Sequence, residues 1–280
     1  MSLIFLASEF AIEAPGLAGE GYIQWLTNSV LVAFLVASIV IVFARRATKH
    51  MALVPTGAQN VFEAVVEGLY GFIEEITGKT VAKRAFSFLA TLFIFILAAN
   101  WFDLLPGVGT IGWGEKTPHG FHLSTPLLRP ATADVNMTLA MAIIFMVLWW
   151  YWTMKEVGLR GFIKHTFGVQ GGAKGFMFIF LSVIFFLVGV IDVISIMFRP
   201  VSLSLRLFGN ILAGETLLAE MIGIGNTLGL PSWVSALMSV TVPLPFYFLE
   251  LLVGVLQAVV FMLLCAVYLQ LSTSHGEEEH

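Results

Sequence analysis

Long apolar stretches separated by short polar segments dominate the chain. They run from Trp25 to Phe43, Ala85 to Phe102, Val135 to Thr153, Phe176 to about Ile224, and Trp233 to Leu271. A membrane-spanning helix needs about 20 mainly apolar residues, so these tracts predict five membrane-inserted helices. The fourth is too long for a simple crossing: about 49 residues at 1.5 Å each make roughly 73 Å of helix, against a hydrocarbon core near 30 Å. The last two tracts must therefore tilt steeply, bend or break. The segment joining them, Gly225-Asn-Thr-Leu-Gly-Leu-Pro231, is rich in helix breakers. The pattern predicts a long, tilted helical hairpin, 176–224 and 233–271.

Residues 57–77 follow a different rule. Phe62, Val65, Val66, Leu69, Ile73 and Ile76 recur at helical spacing, and Glu63, Glu67 and Glu74 occupy the other face. Pro55 and Thr56 suit a helix start and Gly78 a stop. This predicts an amphipathic surface helix. Its acidic polar face suits contact with another protein better than attraction to anionic lipid.

Composition narrows the class. Of 280 residues, 58% are hydrophobic and 11% charged, whereas soluble domains carry about 25% charged residues. With a mean hydropathy of +0.92, the expected fold is an all-α polytopic membrane protein forming one integral membrane domain. The net charge of −4 offers no basic surface for nucleic acid. The single cysteine, Cys265, sits in an apolar run and reads as a small hydrophobe. The early charges Glu9, Glu13 and Glu20 are acidic, unlike those of a secretory signal.

The cations set an orientation. Arg45, Arg46, Lys49, Lys79, Lys83 and Arg84 lie between the first and second tracts, and Lys155, Arg160, Lys164 and Lys174 follow the third. Only Lys116 and Arg129 lie between the second and third. The expectation is an outside N-terminus and a cytoplasmic tail, with the amphipathic helix on the cytoplasmic side.

Ionisable residues at membrane depth are costly and are functional candidates by default. The fourth tract carries Asp192, Arg199, Arg206, Glu215 and Glu220, and the fifth Glu250. At 100° per residue, Asp192, Ser195, Arg199, Ser202, Arg206 and Asn210 fall on one narrow stripe, a polar ridge about 27 Å long. Glu215 lies on roughly the opposite side, so pairing it with Arg206 would require a helix break. Glu250 and Gln257 share a face of the last helix. Gly209, Ala213 and Gly214 are small enough for a neighbouring helix to approach closely. Arg199 lies near the cytoplasmic end, where it can snorkel to the interface or pair with Asp192. Arg206 lies mid-tract, where no bland role suggests itself.

Two local patterns lead nowhere. Gly107-Val-Gly-Thr-Ile-Gly112 fits a dinucleotide fingerprint but follows a membrane helix instead of a strand. His119 and His122 supply two metal ligands without a third. No cofactor, metal or catalytic nucleophile is expected.

The run Arg199-Pro-Val-Ser-Leu-Ser-Leu-Arg-Leu-Phe-Gly-Asn-Ile-Leu-Ala-Gly-Glu215 closely resembles the signature of the subunit a family of the F-type ATP synthase membrane sector. Gly254-Val-Leu-Gln-Ala-Val-Val-Phe-Met262, followed by Tyr268-Leu269, is similar to the family's last-helix signature. Weaker likenesses are Asn100-Trp-Phe-Asp-Leu-Leu-Pro106, Thr132-Ala-Asp-Val-Asn-Met-Thr138, and Pro55 with Gln59, Asn60 and Glu63. The resemblance implies a stator subunit, not catalytic by itself, beside a rotating c-ring whose hairpins each carry a buried carboxylate. The peripheral stalk subunit b and the bilayer are its other partners. It implies an essential arginine at Arg206, an outer proton half-channel lined by Glu215, Glu250, Asn210, Gln257, Asp103 and Asn136, and an inner one lined by Asp192, Ser195 and Ser202. Glu250 stands where some relatives carry histidine. The carried ion is then a proton, the choice against sodium resting mainly with the ring, and the charged tail and long N-terminal region favour a bacterial inner membrane. The competing class is a stand-alone transporter or channel, which the absence of internal or inverted repeats disfavours.

Overall fold

A computed structural model describes residues 27–105, 108, 112–117, 120–126, 128–167 and 176–277. The positions of Glu9, Glu13, Glu20, Trp25, His119 and Lys174, most of the Gly107–Gly112 run and the tail beyond 277 lie outside the described residues.

Among the described residues seven α-helical elements carry the fold: α1 (Asn28–Thr48), α2 (Ala58–Asp103, two helices that meet at a kink), α3 (Val135–Glu156), α4 (Gly158–Phe167), α5 (Phe176–Thr227), α6 (Ser232–Thr241) and α7 (Pro243–Glu277). Among the described residues five segments are long and apolar enough to cross a membrane, with α6 and α7 together making the fifth. The chain is thus an integral membrane protein of the expected helical class. Neither α4 nor the β-hairpin that follows α2 has a counterpart in the hydropathy pattern. Between α2 and α3 the strands β1 (Gly112–Thr117) and β2 (Gly120–Pro126) pair antiparallel, with an irregularity at Trp113/Gly114. The glycine-rich run that mimics a nucleotide fingerprint leads into this hairpin.

Side chains tie down the start of α1 and the loop that leads into α2. The Thr27 hydroxyl accepts from the Val30 N–H at 3.3 Å to start α1, and Arg45 and Arg46 sit in its last turn, where the helix dipole favours cations. Ahead of α2, the Gln59 side chain ties down the preceding loop. Its amide nitrogen donates to the Ala52 carbonyl at 2.9 Å and to Glu63 at 2.7 Å, and its oxygen accepts from the Ala52 N–H at 3.1 Å. α2 joins the amphipathic stretch and the second apolar tract through Gly78, where φ is 74° and ψ 164°. That left-handed value is open to glycine and strained for other residues. The arm before the kink turns Leu69 and Ile73 into the core and leaves Glu67 exposed.

α5 is continuous for 52 residues despite Pro200 in its interior. The returning arm of the hairpin is interrupted at Val242, between α6 and α7. At the hairpin turn Gly229 has φ 66°, and the Ser235 hydroxyl bonds Asn226 Oδ1 at 2.5 Å.

The core sits where α2, α3, α5 and α7 meet. Leu89, Phe93 and Ile96 of α2 pack with Phe145 and Trp149 of α3, Leu203 and Leu207 of α5, and Phe261, Met262 and Cys265 of α7. Polar contacts fix the helices in register. Asn100 Nδ2 donates to the Gly254 carbonyl at 3.3 Å, and the buried hydroxyls of Thr138 and Ser204 are 2.9 Å apart. A hydrogen bond between two hydroxyls in an apolar core gives a specific register that dispersion alone does not.

Candidate functional site: the charged face of α5

The packing of α5 divides its residues by face. Leu203, Ser204, Leu207 and Ile211 are buried against α3 and α7. The polar stripe is thereby turned outward. Asp192, Ser195, Ser202, Arg206 and Asn210 are all exposed, and Arg199 is half-buried. Arg206 makes no hydrogen bond or ion pair with any other described residue. Lys79 pairs with Glu74 at 4.0 Å, far along the chain from the stripe. No helix break brings Glu215 round to Arg206, because α5 runs unbroken between them.

A second group of polar residues gathers on the α7 side of α5. Asn210 Nδ2 donates to the Oε1 of buried Gln257 at 2.8 Å. Glu250, 8% exposed, lies against α5 at Gly214, and its Oε1 is buried without a hydrogen-bond partner. A Cβ at Gly214 would collide with the Glu250 carboxylate, so α5 must carry glycine there for that carboxylate to occupy its place. Gly209, the other small residue on this stretch, stands open, with nothing within 4 Å of where its Cβ would be.

Asp103, at the end of α2, lies within electrostatic reach of Glu215 and Glu250. Arg129, from the segment before α3, reaches Glu215 in the same way. Three acids from three helices and one arginine from a loop therefore share one region. Asn136 is exposed in the first turn of α3, where its backbone N–H donates to the Asp134 carboxylate at 2.9 Å, and no hydrogen bond joins it to Glu215 or Glu250. Sequence reasoning placed Arg129 in an exported loop and gave it no role.

Toward the other end of the stripe, Asp192 and Arg199 border a cavity of about 230 Å³, walled by Trp149, Thr153, Phe162 and Tyr268 among others. No salt bridge links Asp192 to Arg199.

A polytopic helical bundle that turns one unpaired guanidinium outward at membrane depth, with an acidic cluster behind it, has the build of a membrane subunit that handles ions at a contact with another chain. The sequence profile described as "ATP synthase A chain" matches residues 26–270. "ATP synthase subunit a" of Solidesulfovibrio magneticus is 31% identical over 253 residues, covering 90% of this chain and 87% of that one. The protein of the same name from Aliarcobacter butzleri is 31% identical over 264 residues, 94% and 95% of the two chains. That of Moorella thermoacetica is 32% identical over 223 residues, 80% of each. The chain belongs to the ATP synthase A chain family, whose members are membrane-sector subunits of the F-type ATP synthase.

Proposed function

We propose that this chain conducts protons through two offset half-channels that meet at Arg206, and that it thereby couples proton flow to rotation of a c-ring. The supporting observation is the setting of Arg206: exposed, inside a segment long and apolar enough to span the membrane, and unpaired within the described chain. A guanidinium at membrane depth needs an acid or water to answer it. A ring of subunits, each bringing one buried carboxylate past this face, supplies that acid in turn.

The chemistry follows from the charge. A fixed cation favours the ionised form of a carboxylate beside it. A ring site arriving at Arg206 is therefore driven to release its proton, and it leaves by taking up another. Arginine stays protonated, so it neither accepts nor relays protons and separates the two channels. On this reading Asp103, Glu215, Glu250, Asn210 and Gln257 line the outer path, with Asn136 at its margin. Asp192, Ser195 and Ser202 line the inner one. A ring carboxylate crosses lipid only in its neutral form, so offset channels convert flow into one-way rotation. A proton crossing 100 mV supplies about 2.3 kcal/mol. The chain performs no bond chemistry itself. Its other partners are the peripheral stalk subunit b and the lipid, in a bacterial inner membrane with the N-terminus outside and the C-terminus in the cytoplasm.

The test is Arg206→Ala in the assembled complex. Proton-driven ATP synthesis is expected to vanish while the subunit still incorporates. Synthesis at the normal rate overturns the proposal.

A further inference from the structure

Arg199 and Arg206 stand seven residues apart on α5, about 10 Å along one face. A helix face with two free guanidinium groups would offer a passing carboxylate two places to stop. The structure treats the two arginines differently. Arg206 projects outward without a partner, whereas the Arg199 guanidinium carbon lies 4.4 Å from the centroid of the Tyr268 ring and 5.9 Å from that of Trp149. These rings belong to α7 and α3, and they are tied together: the Trp149 indole N–H donates to the Tyr268 backbone carbonyl at 3.0 Å. Trp149 is only 3% exposed, and its neighbour Trp150 packs edge-on against Phe162 of α4. The platform under Arg199 is thus built from two helices and buried on its Trp149 side.

Asp192, on the same stripe and the same cavity wall, does not form a salt bridge with Arg199. A guanidinium's weak hydration suits it to the face of a ring. Contacts of this kind hold the stacked rotamer by a factor of roughly two to thirty.

We infer that Tyr268 and Trp149 are positioning residues that hold Arg199 off the ring-facing stripe, so that α5 presents one free guanidinium to the ring carboxylates. This rests on the proposed role of Arg206. Released from the rings, Arg199 would swing toward Ser195 and Ser202 and stabilise an ionised ring carboxylate on the inner side as well. The carboxylate would then stall at a second station.

The experiment measures proton-driven ATP synthesis in vesicles carrying the whole complex. Tyr268→Leu and Tyr268→Met both remove the π face, and Met keeps most of the volume. Each is expected to lower synthesis by about fivefold or more, within the range such a contact can control. Tyr268→Phe keeps the ring and is expected to stay near the parent rate. Arg199→Gln alone is also expected to stay near it. Added to Tyr268→Leu or Tyr268→Met, Arg199→Gln is expected to restore synthesis, which a merely structural defect would not allow. The inference is overturned if Tyr268→Leu and Tyr268→Met match Tyr268→Phe. It is equally overturned if their loss of activity or of assembly is not relieved by Arg199→Gln. Arg206→Ala, assayed alongside, separates the two claims. Full activity in that variant removes the underlying reading, whereas its loss combined with unsuppressed Tyr268 variants removes the clamp alone.

Discussion

A Cβ on Gly214 would occupy the space of the Glu250 carboxylate, so the place of one charge is set by a missing side chain on the facing helix. Overpacking a filled site costs about 1–3 kcal/mol, and here the atoms displaced are the polar ones. Gly214→Ala is expected to reduce proton-driven synthesis several-fold, and adding Glu250→Asp, which withdraws the carboxyl by one methylene, to recover part of it. Synthesis assays on the single and double variants check this. The sequence showed that Gly214 is small and that Glu250 is a membrane carboxylate, but not that they meet, because contact between α5 and α7 depends on helix packing rather than on either periodicity. The same holds for Arg129. Its reach to Glu215 arises in a non-repeating segment that no pattern describes. The sequence places Arg199 near Asp192, which is within electrostatic reach of it, but does not reveal that its guanidinium stacks on Tyr268. The stripe from Asp192 to Asn210 was fully legible, since 100° per residue alone places it on one face, and packing left that face open.

Helices were easiest to read where apolar runs were long. α1, α3 and the arms of the hairpin follow the hydropathy directly. Where residues with unlike patterns join, the reading is coarser. The amphipathic stretch and the second tract follow each other without a loop, yet the backbone at Gly78 is non-helical, so the first helix stops where the sequence marks a stop. The segment after the third tract carries no predicted element, yet Gly158–Phe167 forms α4, lying against α5 through Gly189, where a Cβ would strike Thr166 and Phe167. The strands β1 and β2 lack an alternating pattern and were missed for that reason. The Gly78 kink carries a prediction. At φ 74° a side chain costs about 1–2 kcal/mol, so Gly78→Ala should lower the thermal midpoint of the purified complex by several degrees. An unchanged or raised midpoint would mean that the bend is not held in the left-handed region.

The molecule as a whole has an apolar exterior around an apolar core. Its exterior carries Phe34, Ile39, Phe180, Phe186, Phe198 and Phe248, each more than half exposed, while Asn100, Thr138, Ser204, Glu250 and Gln257 are buried. Lipid and partner chains cover the apolar exterior, and the interior polar groups hold the helices in register. The crossing of the bilayer was therefore evident from composition alone, whereas sidedness rests on the cations. Single cysteines replacing Lys49 and Lys116 should be labelled from opposite sides of sealed vesicles by a membrane-impermeant maleimide, Lys49→Cys from the cytoplasmic side. Labelling of both from one side would refute the orientation.

The central claim is that the face bearing Arg206 meets a carboxylate from another polypeptide. Gly209 lies three residues from Arg206, exposed and with open space around it, so a cysteine there can be tolerated. In the assembled complex, Gly209→Cys should form a disulfide with a cysteine placed one turn from the ring carboxylate, whereas Phe34→Cys on α1 should not. Absence of that cross-link, with both chains present and the control behaving as expected, would contradict the account.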